Sequence, residues 1–335
     1  MPESIYPENA IILAPLSGYT DLPYRQSMRR HGCFYSFTEM IDAGSLVFGN
    51  GKTLRFLDRA ENESWLGCQI IGSDPEILAK ATKIISQYKF NIVDFNLGCP
   101  VPKVIKKGEG AALAKEIDKA LIAFEIIVKN CERPVSAKIR ILHEEDPEPS
   151  IKLAKGLESV GASAITVHGR VQKQFYSGPV HLKIIKEIKN NLKVQVIANG
   201  GINSYSKYNE TINYLGQIPI MLATGAMGNP WLFEEISEGE MFIPPRPDDL
   251  ANEIKTHIFE TILYYGEERG LRISRKFIFD YLKGRGYSSE LKNSVIKIKS
   301  LQDLENFLCE IRKGPSRGYY DWLKKNPYAP RKLRE

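Results

Sequence analysis

Cysteine is sparse and unpaired in this 335-residue chain: Cys33, Cys68, Cys99, Cys131 and Cys309 are scattered, odd in number and without C-x-x-C spacing. That excludes a regular disulfide framework and leaves no metal-ligand pattern, so reduced thiols in a cytoplasmic, metal-free protein are expected. Long apolar runs are missing too, and none approaches the ~20 residues that a membrane span requires. The first nine residues carry Pro2, Glu3, Pro7 and Glu8 but no basic cluster, which speaks against a secretory signal. No G-x-G-x-x-G opens a strand–helix unit, which counts against a Rossmann half. Beyond an alternation of short units, no repeat or low-complexity tract is present.

What remains is ordinary in amount and uneven in placement. With 43% hydrophobic and 26% charged residues, the composition is that of a globular chain and not of a disordered one. Residues 1–243 hold 27 basic and 27 acidic side chains, whereas residues 244–335 hold 19 and 13, so the whole excess of +6 lies in the later part. Such asymmetry reads either as an anionic partner for that part or as a solvated basic helical face.

Short apolar, β-branched runs at 11–14, 34–38, 65–71, 92–97, 135–140, 164–168, 194–198 and 220–223 alternate with amphipathic stretches at 22–31, 75–88, 117–130, 149–160, 179–190 and 204–215. This succession predicts an α/β fold, a (β/α)8 TIM barrel over residues 1–243, with a doubly wound sheet as the rival. After Pro244-Pro245-Arg246-Pro247 the pattern turns purely helical, at 250–265, 274–283, 288–298 and 301–313. A small C-terminal helical bundle over 244–335 is therefore expected. Its end beyond Gly314 is basic and aromatic, and the sequence leaves its order open.

Polar residues gather where the strands stop. Ala14-Pro15 follows the first, Thr38-Glu39 the second, Gln69 lies near the end of the third, and Asn96 near the end of the fourth. Lys138 and Arg140 belong to the fifth, His168 and Arg170 to the sixth, and Asn199-Gly200-Gly201 follows the seventh. Each alone has a plain structural explanation, such as a capping asparagine or a snorkelling lysine. In a barrel, however, all these strand ends share one mouth, where the set would converge. Asn199-Gly200-Gly201 and the run from Thr224-Gly225 to Pro230 are small-residue loops able to bring backbone N–H groups close to a phosphate, though such loops also occur as simple turns. Lys138, with His168 and Gln69 as hydrogen-bonding groups, suits a flavin mononucleotide, whose reduced ring is anionic.

Cys99 stands in Asn96-Leu97-Gly98-Cys99-Pro100, where an apolar strand gives way to a basic loop containing Lys103, Lys106 and Lys107. Nucleophile, metal ligand and proton donor are all open to it. Metal partners are lacking, and an ordinary thiol pKa of ~8.5 keeps the group protonated at neutral pH, which favours the donor.

At these residues the chain resembles the tRNA-dihydrouridine synthase family. The resemblance is carried by the run from Ala14-Pro15-Leu16-Ser17-Gly18 to Arg25, by Thr38-Glu39-Met40, Gln69-Ile70-Ile71-Gly72 and Asp94-Phe95-Asn96-Leu97-Gly98-Cys99-Pro100, and by Lys138-Ile139-Arg140. Val167-His168-Gly169-Arg170 with Tyr176-Ser177-Gly178, Ala198-Asn199-Gly200-Gly201-Ile202, Gly228-Asn229-Pro230-Trp231 and Tyr281-Leu282-Lys283-Gly284 continue it in the same order.

The resemblance implies reduction of the uracil C5=C6 bond in tRNA by FMN, recharged by NADPH, with Cys99 as the acid. It further implies that Pro15, Leu16, Ser17, Gln69, Lys138, His168, Asn199, Gly200, Gly201, Ala223, Thr224 and Gly225 hold the flavin. Asn96, Arg140, Arg170 and Tyr176 would meet the target nucleotide. The basic helical domain would contact tRNA phosphates, with Arg272, Arg275, Lys276, Lys283, Arg285, Lys292, Lys297 and Lys299 as candidates, and a monomer would suffice. One departure stands out: where the family has Gly-Arg at the end of the eighth strand, this chain has Ala223-Thr224, so weaker retention of FMN is expected. Alternatives are an FMN barrel oxidoreductase acting on a small-molecule pyrimidine and a redox-inactive tRNA-binding protein. Which uridine is reduced is not legible.

Overall fold

The computed structural model describes residues 4–335. Among the described residues, eight strands pair in parallel and close on themselves: β1 (Ile11–Leu13), β2 (Tyr35–Asp42), β3 (Gly67–Ile71), β4 (Ile92–Leu97), β5 (Val135–Arg140), β6 (Ala164–His168), β7 (Gln195–Asn199) and β8 (Ile220–Leu222). The seam is β1 against β8, with Leu13 beside Leu222. Helices α1 (Leu22–Arg30), α2 (Pro75–Ile85), α3 (Ile117–Lys129), α4 (Glu148–Ser159), α5 (Leu182–Asn191) and α6 (Tyr205–Leu215) alternate with the strands, as the 3.6-residue apolar spacing dictates. The barrel is a packed core and not a pore. Ile12, Phe37, Ile92, Ala164, Ile197 and Met221 fill it together with Tyr6, whose ring meets those of Tyr35 and Trp65 at 5.3 Å each.

Several expected boundaries shift, and two of the shifts have a clear physical reason. The second strand does not stop at Thr38-Glu39 but runs on to Asp42, because its register against β3 slips between Phe37 and Met40. Such a bulge re-aims side chains inside a strand, which a hydrophobic pattern reads as an end. In the helical part, the segment expected from residue 274 begins at Glu267. Gly270 looks like a breaker, yet it lies inside that helix, and a Cβ there would sit 2.7 Å from Ile262 Cα.

The chain divides into two compact units. One comprises Met1–Leu22, Phe34–Gly201 and Glu210–Ala223; the other comprises Pro23–Cys33, Ile202–Asn209 and Thr224–Glu335. The second unit contains α7 (Pro247–Tyr265), α8 (Glu267–Leu282), α9 (Leu301–Arg312) and α10 (Arg317–Lys325). A buried carboxylate holds its segments together: Glu253 accepts from Ser27 Oγ at 2.7 Å and Arg30 Nη2 at 2.8 Å, and its other oxygen lies 3.3 Å from His31 Nε2. Despite burial, these partners hold the Glu253 carboxyl down at about 2. No helix among the described residues is long and apolar enough to cross a membrane.

Candidate active site

Strand register assembles the polar set. Gln69 pairs with Asp94, Asn96 with Lys138, Arg140 with His168, and His168 with Asn199. Because side chains alternate along a strand, Asp94 and Asn96 share one face of β4, and Ser136, Lys138 and Arg140 share one face of β5.

A directional hydrogen-bond chain leads from the barrel interior to Cys99. Asn96 Oδ1 accepts from the backbone N–H of Gly98 at 3.0 Å and of Cys99 at 2.9 Å, a turn that asparagine favours. Asn96 Nδ2 donates to Gln69 Oε1 at 2.8 Å, Gln69 Nε2 donates to Asp94 Oδ2 at 2.7 Å, and Ser136 Oγ donates to Asp94 Oδ1 at 2.6 Å. The two ends fix both amides: the loop N–H groups can only donate and an ionised carboxylate can only accept. Burial pushes the Asp94 carboxyl up to about 6, against the pull of Gln69, Ser136 and the Lys138 charge.

The loop itself is tightly wound. Ala111 N–H donates to Cys99 O at 3.1 Å. Gly110, at φ 59°, lies so close that a Cβ would be 2.9 Å from Cys99 O and 3.0 Å from Cys99 Cβ, so the loop demands glycine there. Burial raises the Cys99 pKa; the Val101 backbone N–H, Arg140 and Lys103 pull it down, and Glu109 adds to the rise. The net upward shift keeps a proton on sulfur at neutral pH.

Cations surround this thiol. Arg140 Nε donates to Gly98 O at 2.8 Å, and its guanidinium lies 5.5 Å from the Tyr176 ring centroid. Lys138 Nζ donates to Asn199 Oδ1 at 2.8 Å while Asn199 Nδ2 donates to Met221 O at 2.7 Å. Burial, then the neighbouring Arg140, brings Lys138 down to about 7; Asp94 and Cys99 oppose this. Arg170 donates through Nε and Nη2 to Gly178 O, and its Nη1 lies 3.5 Å from His168 Nε2. Burial, reinforced by Lys138, Arg140 and Arg170, drives the His168 pKa far down, so the imidazole is neutral.

The site residues expected from sequence are thus distributed unevenly. Gln69, Asn96, Cys99, Lys138, Arg140, His168, Arg170, Tyr176 and Asn199 are joined by the contacts above, and Gly200 and Gly201 follow β7 directly. Pro15, Leu16 and Ser17 follow β1, and Leu16 and Ala223 pack against the barrel core. Thr224 and Gly225 belong to the second unit, where Gly225 lies against the backbone of Ile202. Asp94 and Ser136 are site residues that sequence reasoning misses. Their trace in the sequence is a charged residue two positions before Asn96 in an apolar strand, hence on the same face. Among the proposed RNA contacts, Arg285 is a correction: it is fully buried, donates to Gly228 O, Tyr281 O and Asn229 Oδ1, and lies 5.3 Å from the Trp231 ring centroid. Charge alone could not distinguish this structural arginine from a surface one.

Comparison with known proteins adds three findings. A family model described as dihydrouridine synthase (Dus) matches residues 12–313. The tRNA-dihydrouridine synthase B of Pasteurella multocida is 34% identical over 281 residues, 83% of this chain and 85% of the relative. That of Pseudomonas aeruginosa is 34% identical over 312 residues, 91% and 92% of the two chains, and a probable tRNA-dihydrouridine synthase of Rickettsia conorii is 35% identical over 291 residues, 85% and 88%. Among solved structures, histamine dehydrogenase from Rhizobium sp. 4-9 (TM-score 0.52, 12% identity, 75% of this chain and 48% of that one) shares the fold. So does a morphinone reductase mutant in complex with tetrahydroNAD (TM-score 0.52, 11% identity, 72% and 90%).

Proposed function

The chain belongs to the dihydrouridine synthase family, and from that premise we propose that it reduces uridines in tRNA to 5,6-dihydrouridine, using FMN recharged by NADPH. The observation that carries this reading is a protonated thiol held by a directional hydrogen-bond chain beside buried Arg140 and half-buried Lys138 at one barrel mouth.

The residues present fit a flavin. Among the described residues Lys138 Nζ bonds only to Asn199 Oδ1, which leaves a half-buried amine with donors to spare, and a negative ring placed there would favour its charged form. Lys138, Asn199, Gln69 and neutral His168 would hold that ring, with Pro15, Leu16, Ser17, Gly200 and Gly201 around it. For Ala223, Thr224 and Gly225 the assignment rests on the resemblance alone. When bound, the flavin would supply hydride to the uracil ring. Cys99 would deliver its proton to C5, and a thiol kept un-ionised by burial is suited to that step. Asn96 sets the loop that aims the sulfur. Arg140, Tyr176 and Arg170 would receive the target nucleotide, which must leave the RNA stack to enter a barrel mouth. Exposed Arg272, Lys283, Lys297 and Lys299 on the helical unit would contact phosphates without reading sequence.

The test is dihydrouridine formation in unmodified tRNA transcripts supplied with FMN and NADPH, wild type against Cys99→Ala. Product from the wild type and almost none from the variant supports both reaction and acid. NADPH oxidation by a flavin-loaded protein that leaves every uridine intact would instead point to a small-molecule pyrimidine substrate.

A further inference from the structure

The family match ends at residue 313, and the remaining segment has a character of its own. Residues 314–335 carry Arg317, Lys324, Lys325, Arg331, Lys332 and Arg334 against only Asp321 and Glu335.

The segment is anchored to its own unit. Arg331 donates through Nη1 to Asp280 O at 2.7 Å and Lys283 O at 3.1 Å, and through Nη2 to Met227 O at 2.5 Å. The first two are carbonyls at the C-terminal end of α8, where a cation is favoured. Tyr319 packs over Gly286, at φ 72°, where a Cβ would come within 2.3 Å of the ring. Leu333 is buried, and Arg334 N–H donates to Pro245 O at 3.0 Å.

Yet α10 itself buries no residue. Trp322, 47% exposed, stacks on Tyr319 with ring centroids 6.1 Å apart, and Tyr328, 70% exposed, has Lys332 Nζ 5.9 Å from its centroid. Lys324, 3.7 Å from Asp321 Oδ1, and Lys325 are exposed on the same helix as Trp322. The anchoring is therefore spent on presenting aromatic faces and ammonium groups to solvent.

We propose that residues 314–335 form an RNA-docking surface in addition to the helical bundle, Trp322 and Tyr328 stacking on bases while Lys324, Lys325 and Lys332 meet phosphates. The proposal rests on the tRNA reading above. Flat rings interleaved with cations match a polyanion with π-faces, whereas a second copy of the same basic surface would be repelled. Because the Trp322 ring is already stacked on Tyr319, little conformational entropy is lost there on binding.

The test uses the full-length, flavin-loaded protein and an unmodified tRNA transcript, with Lys324→Glu/Lys325→Glu and Trp322→Ala/Tyr328→Ala as variants. All four side chains are solvent-facing, so both proteins should fold. The charge variant should weaken binding at least tenfold near 0.1 M salt and flatten the slope of log K against log salt by about 1.5. The aromatic variant should weaken binding about tenfold with the slope kept. NADPH-driven flavin reduction should be unchanged in both. Unchanged affinity and slope in both variants overturn the proposal, as does a loss of self-association in place of RNA binding. If the wild type itself neither binds tRNA nor forms dihydrouridine, the functional reading fails instead, so the two failures are distinguishable.

Discussion

Replacing Asp94 by asparagine should make the protein more stable at neutral pH, and the gain should vanish in acid. Burial raises this carboxyl from its ordinary 3.8 to about 6, a difference of about 2 units that corresponds to about 3 kcal/mol. Since the folded-state pKa lies above the unfolded one, the favourable contribution is complete below about pH 4 and is lost as pH rises through about 6. The amide introduced by Asp94→Asn mimics the protonated acid and does not titrate. Urea unfolding of both proteins between pH 4 and pH 7.5 gives a difference curve in which the groups not coupled to Asp94 cancel, leaving Asp94 itself and, near pH 7, the neighbouring Lys138. It should change by up to about 1.4 kcal/mol per pH unit in the transition and level off near 3 kcal/mol in favour of the variant. A difference that stays constant over this range would refute the reasoning and mean that the Lys138 charge offsets the burial in full. Activity should discriminate further. Asparagine keeps an oxygen for Gln69 Nε2, with Ser136 turning its hydroxyl to accept, so turnover should persist. Asp94→Leu orphans that buried donor at a cost of about 1–3 kcal/mol, frees Asn96 to reorient, and should lower turnover with flavin still bound.

Three further outcomes are expected. Alkylation of Cys99 by iodoacetamide, followed by mass spectrometry, should still be accelerating above pH 9, because burial raises its pKa; a rate already level at pH 7 would rule it out as the acid. Gly110→Ala should cut dihydrouridine formation, since φ 59° costs an L-residue about 1–2 kcal/mol and the methyl meets Cys99 O, whereas flavin content measured by absorbance should stay the same. Glu253→Gln should destabilise the second unit by about 3 kcal/mol through Arg30 and His31 losing their shared anion. Because the folded pKa of about 2 lies below the ordinary 4.5, wild-type stability from this group is present above about pH 4.5 and lost as pH falls toward 2, so the penalty of the variant should shrink in acid urea melts.

Much of this molecule is readable along the chain. Strand and helix periods recur locally, so the alternation that builds the barrel, the three strands β4, β5 and β6 to the residue, and the loop holding Cys99 at a strand end follow from neighbours in sequence. The partner of a buried polar group is set by residues far away in sequence. Asp94 stands out as a charge in an apolar strand, but only the pairing of β3, β4 and β5 brings Gln69 and Ser136 to it and turns Asn96 toward the Cys99 loop. For the same reason Arg285 counts as one more basic residue until Asn229 and the Gly228 and Tyr281 carbonyls close around it. The order of the tail is likewise open until Arg331 finds carbonyls at the end of α8. Periodicity is a property of the chain; compensation of buried charge depends on contacts that exist only once the chain has folded.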